Sequence, residues 1–579
     1  MRDRRWLILA VAFVGTFVLG WVGYSSDEPR QQVAAYRSLQ LFGLESGEVQ
    51  SSPNLAVITA GFLAPLVAAW AVVLAAAGLF REQLQRLWIR FRLKDHVVVA
   101  GLGTFGFRLA TAFDQAGRRV VVIERDPRNG SIAGCRERGI AVVTGDATDQ
   151  RLLGQTGLTR ARDFLVVCGE DSANLDILVA ATRVVPERRA RLGTLVHLAD
   201  LALWRRLQAH ALVSPDRFPF RLEFFNVLDA GARVLLRKYP PFGDRPGDLP
   251  RRPHLLFVGL EEVGEFAALH AAGRWQHLDK RSDEYLWITV IGPAAGEQVG
   301  ALLERYPDLA GICRVAAQEI AISDAAFQAG DFHVLRDRPP VTQVYVCLSN
   351  EADGLSAALI LTRLPETQGA PLVVTVKDAE AGVASLIASH QGRLAEVSEF
   401  GVLSRTLVPD VAQLSTREVL SQLRHEEYVR RERERGETEE TNSSMVPWDE
   451  LPDSLKASNR AFADGVGRKL AQKSCALVPA PLATAEGTPA VFTEEEIEAL
   501  ARGEHDRWIT DLQSDGWRWT PGEKDPARKH HPLLVPWEDL DSVHKDRDRD
   551  SIRALPAMLA RVGFKIHRGG VGLSPDSPT

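Results

Sequence analysis

Cysteine is scarce in this chain of 579 residues: there are five, far apart, and none belongs to a Cys-x-x-Cys pair. A disulfide framework and a thiolate zinc site are thereby excluded. Cys168 and Cys347 each close a short apolar run (FLVVC, VYVC) and read as small buried hydrophobes in strands. An excess of one charge is missing as well: 69 basic residues stand against 75 acidic ones, for a formal net charge of −6. Nothing in that balance calls for nucleic acid as a partner. No serine or cysteine nucleophile stands beside a general base, so the sequence offers no catalytic constellation. Apolar residues make up 45% and charged residues 25%, values that exclude wholesale disorder and a collagen-like fibre. What the chain has is length for about four domains and an uneven distribution. Apolar residues crowd the first 80 positions and charged ones the last 160.

The apolar crowd resolves into two uncharged runs, Trp6 to Ser25 and Leu55 to Phe80. At about 1.5 Å per residue each reaches across a hydrocarbon core of about 30 Å, so two membrane helices are expected within residues 1–80. Arg2, Arg4 and Arg5 mimic the basic end of a signal peptide, but the apolar stretch is too long for one and no small-residue cleavage site follows. A retained span is expected. A basic linker, 81–94, carries Arg81, Arg86, Arg90, Arg92 and Lys94, whereas the loop Ser26 to Asn54 holds only Arg30 and Arg37. The positive-inside rule then places both termini and all large domains in the cytoplasm, in a multi-pass protein of the cell membrane.

Residues 95–240 open with a β-branched run feeding Gly101-x-Gly103-x-x-Gly106, followed by a helical pattern and a second strand that ends in Glu124. Glycines at these places allow a tight turn, close approach of backbone to phosphate, and close helix packing. The helix N-terminus, with Thr104 and Phe105 in its first turn, offers N–H groups and a positive dipole end to phosphates. Glu124 stands 21 residues beyond Gly103, where an acid bonds a ribose hydroxyl. Further strand-like runs (IAVVTGD, FLVVC, TLVHLAD) alternate with helical segments, the pattern of a doubly wound parallel sheet. The expected ligand is an adenine nucleotide or NAD(H). Glu124 suits an unphosphorylated ribose, although the adjacent Arg125 blunts that preference.

These residues resemble the nucleotide-binding domain of potassium-channel and potassium-transporter regulators, the RCK or TrkA-N-like family. The resemblance rests on Gly101, Gly103, Gly106, Glu124, the Gly145-Asp146-Ala147 turn and Glu170-Asp171 after the fourth strand. It implies a regulatory nucleotide site that includes Asp146, Ala147 and Glu170, with no metal. The stretch Phe224 to Leu236 resembles the helix by which such domains pair.

A Pro/Gly-rich break, Tyr239 to Pro253, separates a second copy at 251–405, visible when VVCGEDSANLDILVAATRV is set beside VYVCLSNEADGLSAALILTRL. This copy departs at the chemistry. Glu261 replaces the middle glycine between Gly259 and Gly264, and Gly292 ends the second strand instead of an acid. A carboxylate in the phosphate turn repels an anion, so the second copy is expected to be structural.

The last third holds another duplication: His425 to Tyr428 with VPWDELPDSLKASNR, then His505 to Trp508 with VPWEDLDSVHKDRDR. The spacing Trp448–Lys456–Arg460 repeats as Trp537–Lys545–Arg549. Between the copies, Ser474 to Val491 reads as a Pro/Ala-rich linker, and Val429 to Ser444 as a solvated helix end or loop. The units, 418–473 and 493–568, resemble the repeat of ryanodine receptors, the RyR domain, and the first lacks the Gly-Trp and Lys-x-His-Pro stretches. Trp448 and Trp537 are expected to anchor small cores. The alternative is a pocket for an anionic, stackable ligand such as a nucleotide, lined by Trp508, Trp517, Lys529, Trp537, Lys545 and Arg549.

The fold expected is therefore two membrane helices, two doubly wound Rossmann-like domains and a mainly helical tandem repeat. In the loop between the spans, Val33 to Phe42 reads as a short helix, followed by Gly43, Glu45 and Gly47 where a filter would stand. The threonine and close Gly-x-Gly of a potassium filter are missing. By resemblance the chain is a ligand-gated cation channel or transport component for potassium, a homo-oligomer and by that resemblance a tetramer in the bilayer. The alternatives are a non-conducting membrane sensor or effector responding to a nucleotide, and a membrane-tethered enzyme.

Overall fold

The computed structural model describes residues 2–26, 28, 30–43, 54–79, 89, 92–186, 192–213, 218–242, 252–278, 284–378, 397–409, 415–480, 482 and 492–568. They divide into two compact units, Met1–Leu93 and Lys94–Thr579.

In the first unit α1 (Arg2–Ser25) and α3 (Leu55–Leu79) form a hairpin around the short α2 (Gln31–Gln40), which ends in a 3-10 turn, Leu41–Gly43. Small residues let α2 come close to α1. The Ser38 hydroxyl occupies the space a Cβ on Gly20 would need and donates to the Phe17 carbonyl at 2.6 Å. Asn54 donates from Nδ2 to the Gly23 carbonyl at 2.9 Å, and Val57 packs where Gly23 has no side chain. Ala34, Leu41, Val57, Ala60 and Ala64 complete a small core. The remaining faces are apolar and uncovered, Leu7, Phe62, Leu66 and Val72 among them.

The second unit contains two six-stranded sheets of one design. In the first run β1 (Val97–Ala100), α4 (Thr104–Gln115), β2 (Val120–Glu124), α5 (Ser131–Glu137), β3 (Ala141–Thr144), α6 (Gln150–Gln155) and β4 (Asp163–Val166). Then come α7 (Asp171–Val184), β5 (Gly193–His197), α8 (Leu201–Val213), β6 (Arg221–Phe225) and α9 (Val227–Lys238). The order β3-β2-β1-β4-β5-β6 is wholly parallel, with Val97 to Ala100 paired to Val120 to Ile123 on one side and Asp163 to Val166 on the other. Helices cover both faces, so β1 and β2 read as continuous runs of valine and isoleucine and are buried along their length.

The second sheet begins with β7 (His254–Val258), α10 (Gly264–Gln276), β8 (Leu286–Gly292), α11 (Ala295–Arg305), α12 (Leu309–Ile312), β9 (Cys313–Glu319) and α13 (Ala325–Ala329). It ends with β10 (Gln343–Val346), α14 (Glu351–Leu361), β11 (Leu372–Val376), β12 (Val397–Gly401) and α15 (Val402–Thr406). Its order, β9-β8-β7-β10-β11-β12, repeats that of the first sheet. The two domains meet through α9, which Asn226 caps by accepting from the Leu228 and Asp229 N–H groups. α9 packs on α10 and α15, with Gly231 against Val263, Val402 and Thr406. Buried Asp229 accepts from Arg233 and bonds His270 of α10, each at 2.8 Å. Burial opposes ionisation of that carboxyl, but these two partners outweigh it and hold it well below the usual carboxylate range.

The C-terminal region is mostly helical and built twice: α16 (Thr416–Glu434), a 3-10 turn Trp448–Glu450, α17 (Asp453–Asp464), α18 (Val466–Gln472) and β13 (Cys475–Pro479). The second pass is α19 (Glu494–Ser514), the two-residue strands β14 (Arg518–Trp519) and β15 (His530–His531), and a 3-10 turn Trp537–Asp539. α20 (Ser542–Arg553), α21 (Leu555–Arg561) and β16 (Phe564–Arg568) end it. Part of the stretch expected as linker, 475–479, is strand β13, which pairs antiparallel with β16, so each repeat ends by closing the other. Phe462, Val466, Leu470, Trp537, Leu555 and Leu559 share one core, to which α8 of the first Rossmann domain adds Ala209.

The mixed-charge run is a helix end and loop, mostly exposed as expected, but Arg431, Glu432 and Arg435 within it form an inter-repeat contact. Glu432, fully buried, accepts from Arg435 and from Arg547 of the second repeat, while Asp550 pairs with Arg431 and Arg435. Glu432, one acid in that alternation, thus has a partner 115 positions away.

Candidate functional site

The glycine turn after β1 is built as its spacing suggests. Gly101 has φ +95°, and a Cβ there would press on the Cys168 backbone at 3.0 Å. Gly106 lets α4 meet the turn, since its Cβ would stand 1.9 Å from the Gly101 carbonyl oxygen. Gly103, the N-cap of α4, faces open space. Of the three it is the one with room for a ligand, and Thr104 beside it is exposed.

Glu124 closes β2 next to this turn. One carboxylate oxygen accepts from the Leu102 N–H at 2.9 Å and the other from Asp126 N–H at 2.8 Å. Arg125 is exposed beside it. Gly145, Asp146 and buried Ala147 follow β3, and hydrogen bonds from the Thr148 backbone and hydroxyl hold the Asp146 carboxyl below its ordinary range. Glu170 is exposed at the N-cap of α7, and Asp171 behind it ties that end of the sheet to β5 through the Ala199 and Asp200 N–H groups. Phe105 leans edge-on against His197 at 5.2 Å, and burial pushes that imidazole down to about 4. Cys168 is no nucleophile, because burial drives its thiol up to about 11. All ten residues expected here therefore lie at the carboxyl ends of β1 to β4, where the strand order reverses. In an open α/β sheet that crevice receives the ligand.

The corresponding turn of the second domain keeps its glycines and differs in its bonds. Gly259 keeps its turn at φ +71° and Gly264 its close packing against Cys347. The Leu260 N–H, however, donates to Gln298 at 2.9 Å, and Glu261 reaches across to accept from the Ser349 N–H at 2.7 Å. Its carboxylate thus sits just ahead of the N-terminus of α14.

In the C-terminal repeats the duplicated signature residues make the same bonds twice. His425 meets the Val446 carbonyl at 2.8 Å and His505 meets that of Val535 at 2.9 Å. Arg460 pairs with Glu418 and Arg549 with Glu498, each arginine lying over its tryptophan, Trp448 or Trp537. Lys456 and Lys545 donate to the Asp449 and Glu538 carbonyls. Trp537 is buried in the core as first expected; of the six residues named for the alternative, a pocket, Trp508 and Trp517 face the cavity between the repeats. Trp537, Lys545 and Arg549 are spent instead on this clamp, which fastens the 3-10 turn to two helices, and Lys529 is bonded to Asp515. Sequence reasoning missed Arg424, Tyr428 and Arg547 on the cavity wall. The signal was the alignment of the copies, which sets Tyr428 opposite Trp508. Among the described residues no cluster of three or more His, Cys, Asp or Glu side chains is arranged to hold a metal ion.

Comparison with known proteins matches two parts of the chain. Residues 97–215 match the TrkA-N domain and residues 477–568 the RyR domain. Similar solved structures include GsuK bound to ADP, 12% identical over 72% of this chain and 99% of that one, with a TM-score of 0.35. The GsuK channel bound to NAD is 11% identical over 86% and 89% with a TM-score of 0.36, and the human SLO3 gating ring 11% over 54% and 81% with 0.35. The chain thus carries a TrkA-N-like Rossmann domain, a second parallel sheet of the same order and an RyR-like repeat in one polypeptide.

Proposed function

We propose that this chain is the subunit of a nucleotide-gated membrane cation channel, with potassium as the ion and a homo-oligomer, a tetramer, as the working form. The observation that carries the reading is the first unit: a short helix folded back against the first of two helices of membrane length through Ser38 and Gly20, with its closing 3-10 turn on the second. An ordinary external loop has no need of that insertion. The candidate spans, Trp6–Ser25 and Leu55–Ala75, have mean hydropathies of 2.1 and 2.3, and only 22% of each window is buried. Their bare faces call for lipid and for further copies, since two helices cannot enclose a pore.

Gly43 closes the 3-10 turn at the tip of the short helix, while Glu45 and Gly47 lie outside the described residues. A ring of Glu45 carboxylates would select cations by charge. An adenine nucleotide or NAD(H) in the first Rossmann crevice would shift the gate by binding its open and closed forms unequally. Reading both termini as cytoplasmic follows from the arginines flanking the hairpin. The RyR-like repeats, with a cavity of their own, support a second reading, a membrane sensor that does not conduct.

Cation flux into liposomes carrying the purified full-length protein, with and without adenine nucleotides, tests the first reading. Nucleotide-dependent potassium flux that Glu45→Gln alters is the expected result. Silence from folded, oligomeric protein would leave the sensor.

A further inference from the structure

A cavity of about 800 Å³ lies at the end of the first sheet opposite the glycine turn, where β4, β5 and β6 begin; α16 and α17 of the first repeat form its facing wall. The strand register sorts its floor into two rows. Leu165, Leu195 and Glu223 are neighbours across β4, β5 and β6. Asp163, Gly193 and Arg221 form the row outside them, two residues or about 7 Å away along the strands. Gly193 has no side chain, and Arg221 and Asp163 both come to 3.0 Å from where its Cβ would stand. The outer row is thus held by its own charges. The inner row, with Phe113 of α4 beside it, is apolar except for one carboxyl.

That carboxyl is under-served. Glu223 is 8% exposed, accepts from the Ser415 hydroxyl at the N-cap of α16, and has no ion pair among the described residues. Burial pushes it up to about 7; the Ser415 bond, and Arg417 and Arg221 acting from farther away, do not outweigh that, and Asp464 works against the arginines. The arginines of the facing wall are occupied, since Arg417 holds Asp464 and Arg460 holds Glu418 through two bonds each. At the rim two others are only loosely paired. Arg118 stands 3.7 Å from Asp95 and Arg162 3.8 Å from Asp163, and both side chains are partly exposed. The site runs from a buried acid, over an apolar floor, to these two guanidinium groups.

We propose that this cavity binds a small zwitterion, an apolar α-amino acid, with its ammonium on Glu223, its side chain against Leu165 and Leu195, and its carboxylate toward Arg118 and Arg162. An ammonium brings both the charge and the donors that a buried carboxylate needs. A guanidinium receives a carboxylate through two parallel bonds. A plain anion would be repelled by Glu223, and a plain cation would have nothing to offer the arginines. The volume lies within the ~300–1,000 Å³ usual for ligand sites, so water fills what an amino acid leaves, and charge rather than size selects the ligand. The cavity is at the other end of the sheet from the nucleotide crevice and shares no residue with it, so this inference does not depend on the nucleotide reading.

The test is calorimetry on full-length protein in detergent, titrated with L-leucine and L-phenylalanine. N-acetyl-leucine, which lacks the ammonium, and leucinamide, which lacks the carboxylate, are the controls. Binding of at least one amino acid is expected, with both controls weaker by roughly tenfold or more. Glu223→Gln keeps an acceptor for Ser415 and removes the charge, and should weaken binding by a similar factor. Because an ammonium favours the ionised carboxyl, affinity should rise with pH through about 7, and the glutamine variant should lose that dependence. Arg162→Gln, at a side chain 52% exposed, should weaken binding about threefold and stays informative should the Glu223 variant fail to fold. Silence with both amino acids, either control bound as tightly as leucine, or affinity indifferent to both substitutions overturns the proposal.

Discussion

The two duplications in this chain diverged in opposite places. Between the Rossmann copies the packing glycines, Gly106 and Gly264, are kept, and the change falls on the signature position that faces open space in the first copy, Gly103 against Glu261. Between the C-terminal copies the clamp residues are kept, and the changes fall around the shared cavity, Arg424 against Glu504 and Ser458 against Arg547. In one pair the motif lines the proposed site; in the other it is the clamp that holds the fold. Residues that recur in an internal repeat thus mark what folding requires as readily as what binding requires. Only their contacts tell which.

The comparison can be broken most forcefully at the join of the repeats. Glu432→Ala leaves Arg435 and Arg547 facing a buried gap, and a loss of about 3–5 kcal/mol is expected from removing one partner of a buried ion pair. Hydrogen exchange should localise the loosening to α16 and α20. Acid is the next lever. Burial pushes His531 down to about 4, so its folded form favours the neutral ring. The stability this carries is present above the unfolded value of about 6.5 and lost as pH falls toward 4. Thermal unfolding of the C-terminal region should drop across that window, and His531→Gln should flatten the fall.

Within the Rossmann pair, Gly106→Ala puts a Cβ onto a backbone oxygen, where Gly264→Ala meets the Cys347 side chain first, at 2.8 Å. Overpacking of this kind costs about 1–3 kcal/mol, and the first domain should suffer more than the second in thermal melts. Arg460→Ala and Arg549→Ala, removing equivalent clamps, should each cost about 1–2 kcal/mol and differ little. A large inequality would mean that one copy of the signature does something besides folding. The smallest effect is expected from Glu261→Gly, which should change nucleotide binding little because Gly292 still stands where a ribose acid would be. New affinity in the second domain would identify Glu261 alone as the plug.

Some of this was legible without coordinates. The two apolar helices, the short helix between them, the glycine turn with Glu124 and the worn second copy are local patterns, each contained in a few tens of residues. α2 runs over Gln31–Gln40 where Val33 to Phe42 was expected, a shift of two residues that leaves the reading intact. The role of VRRERERGETEETNSS was not legible, because close alternation of sign looks the same whether water or a second charged face lies opposite. The fate of Trp537, Lys545 and Arg549 was not legible either. A tryptophan with two cations suits a ligand and suits a clamp, and the choice turned on Glu498, 39 positions before the tryptophan.

By itself, then, the sequence determined the order of parts, which segments are apolar, and which Rossmann copy kept the residues of a phosphate turn. Those properties reside in periodicity and in backbone freedom at single glycines, and both are local. The tertiary structure decided that β13 pairs with β16, that Glu432 is buried between two arginines, and that Arg424 lines the cavity between the repeats. Each of these depends on bringing together residues tens to more than a hundred positions apart, and what a charge does is set by the groups and the dielectric around it, which only the packed chain supplies.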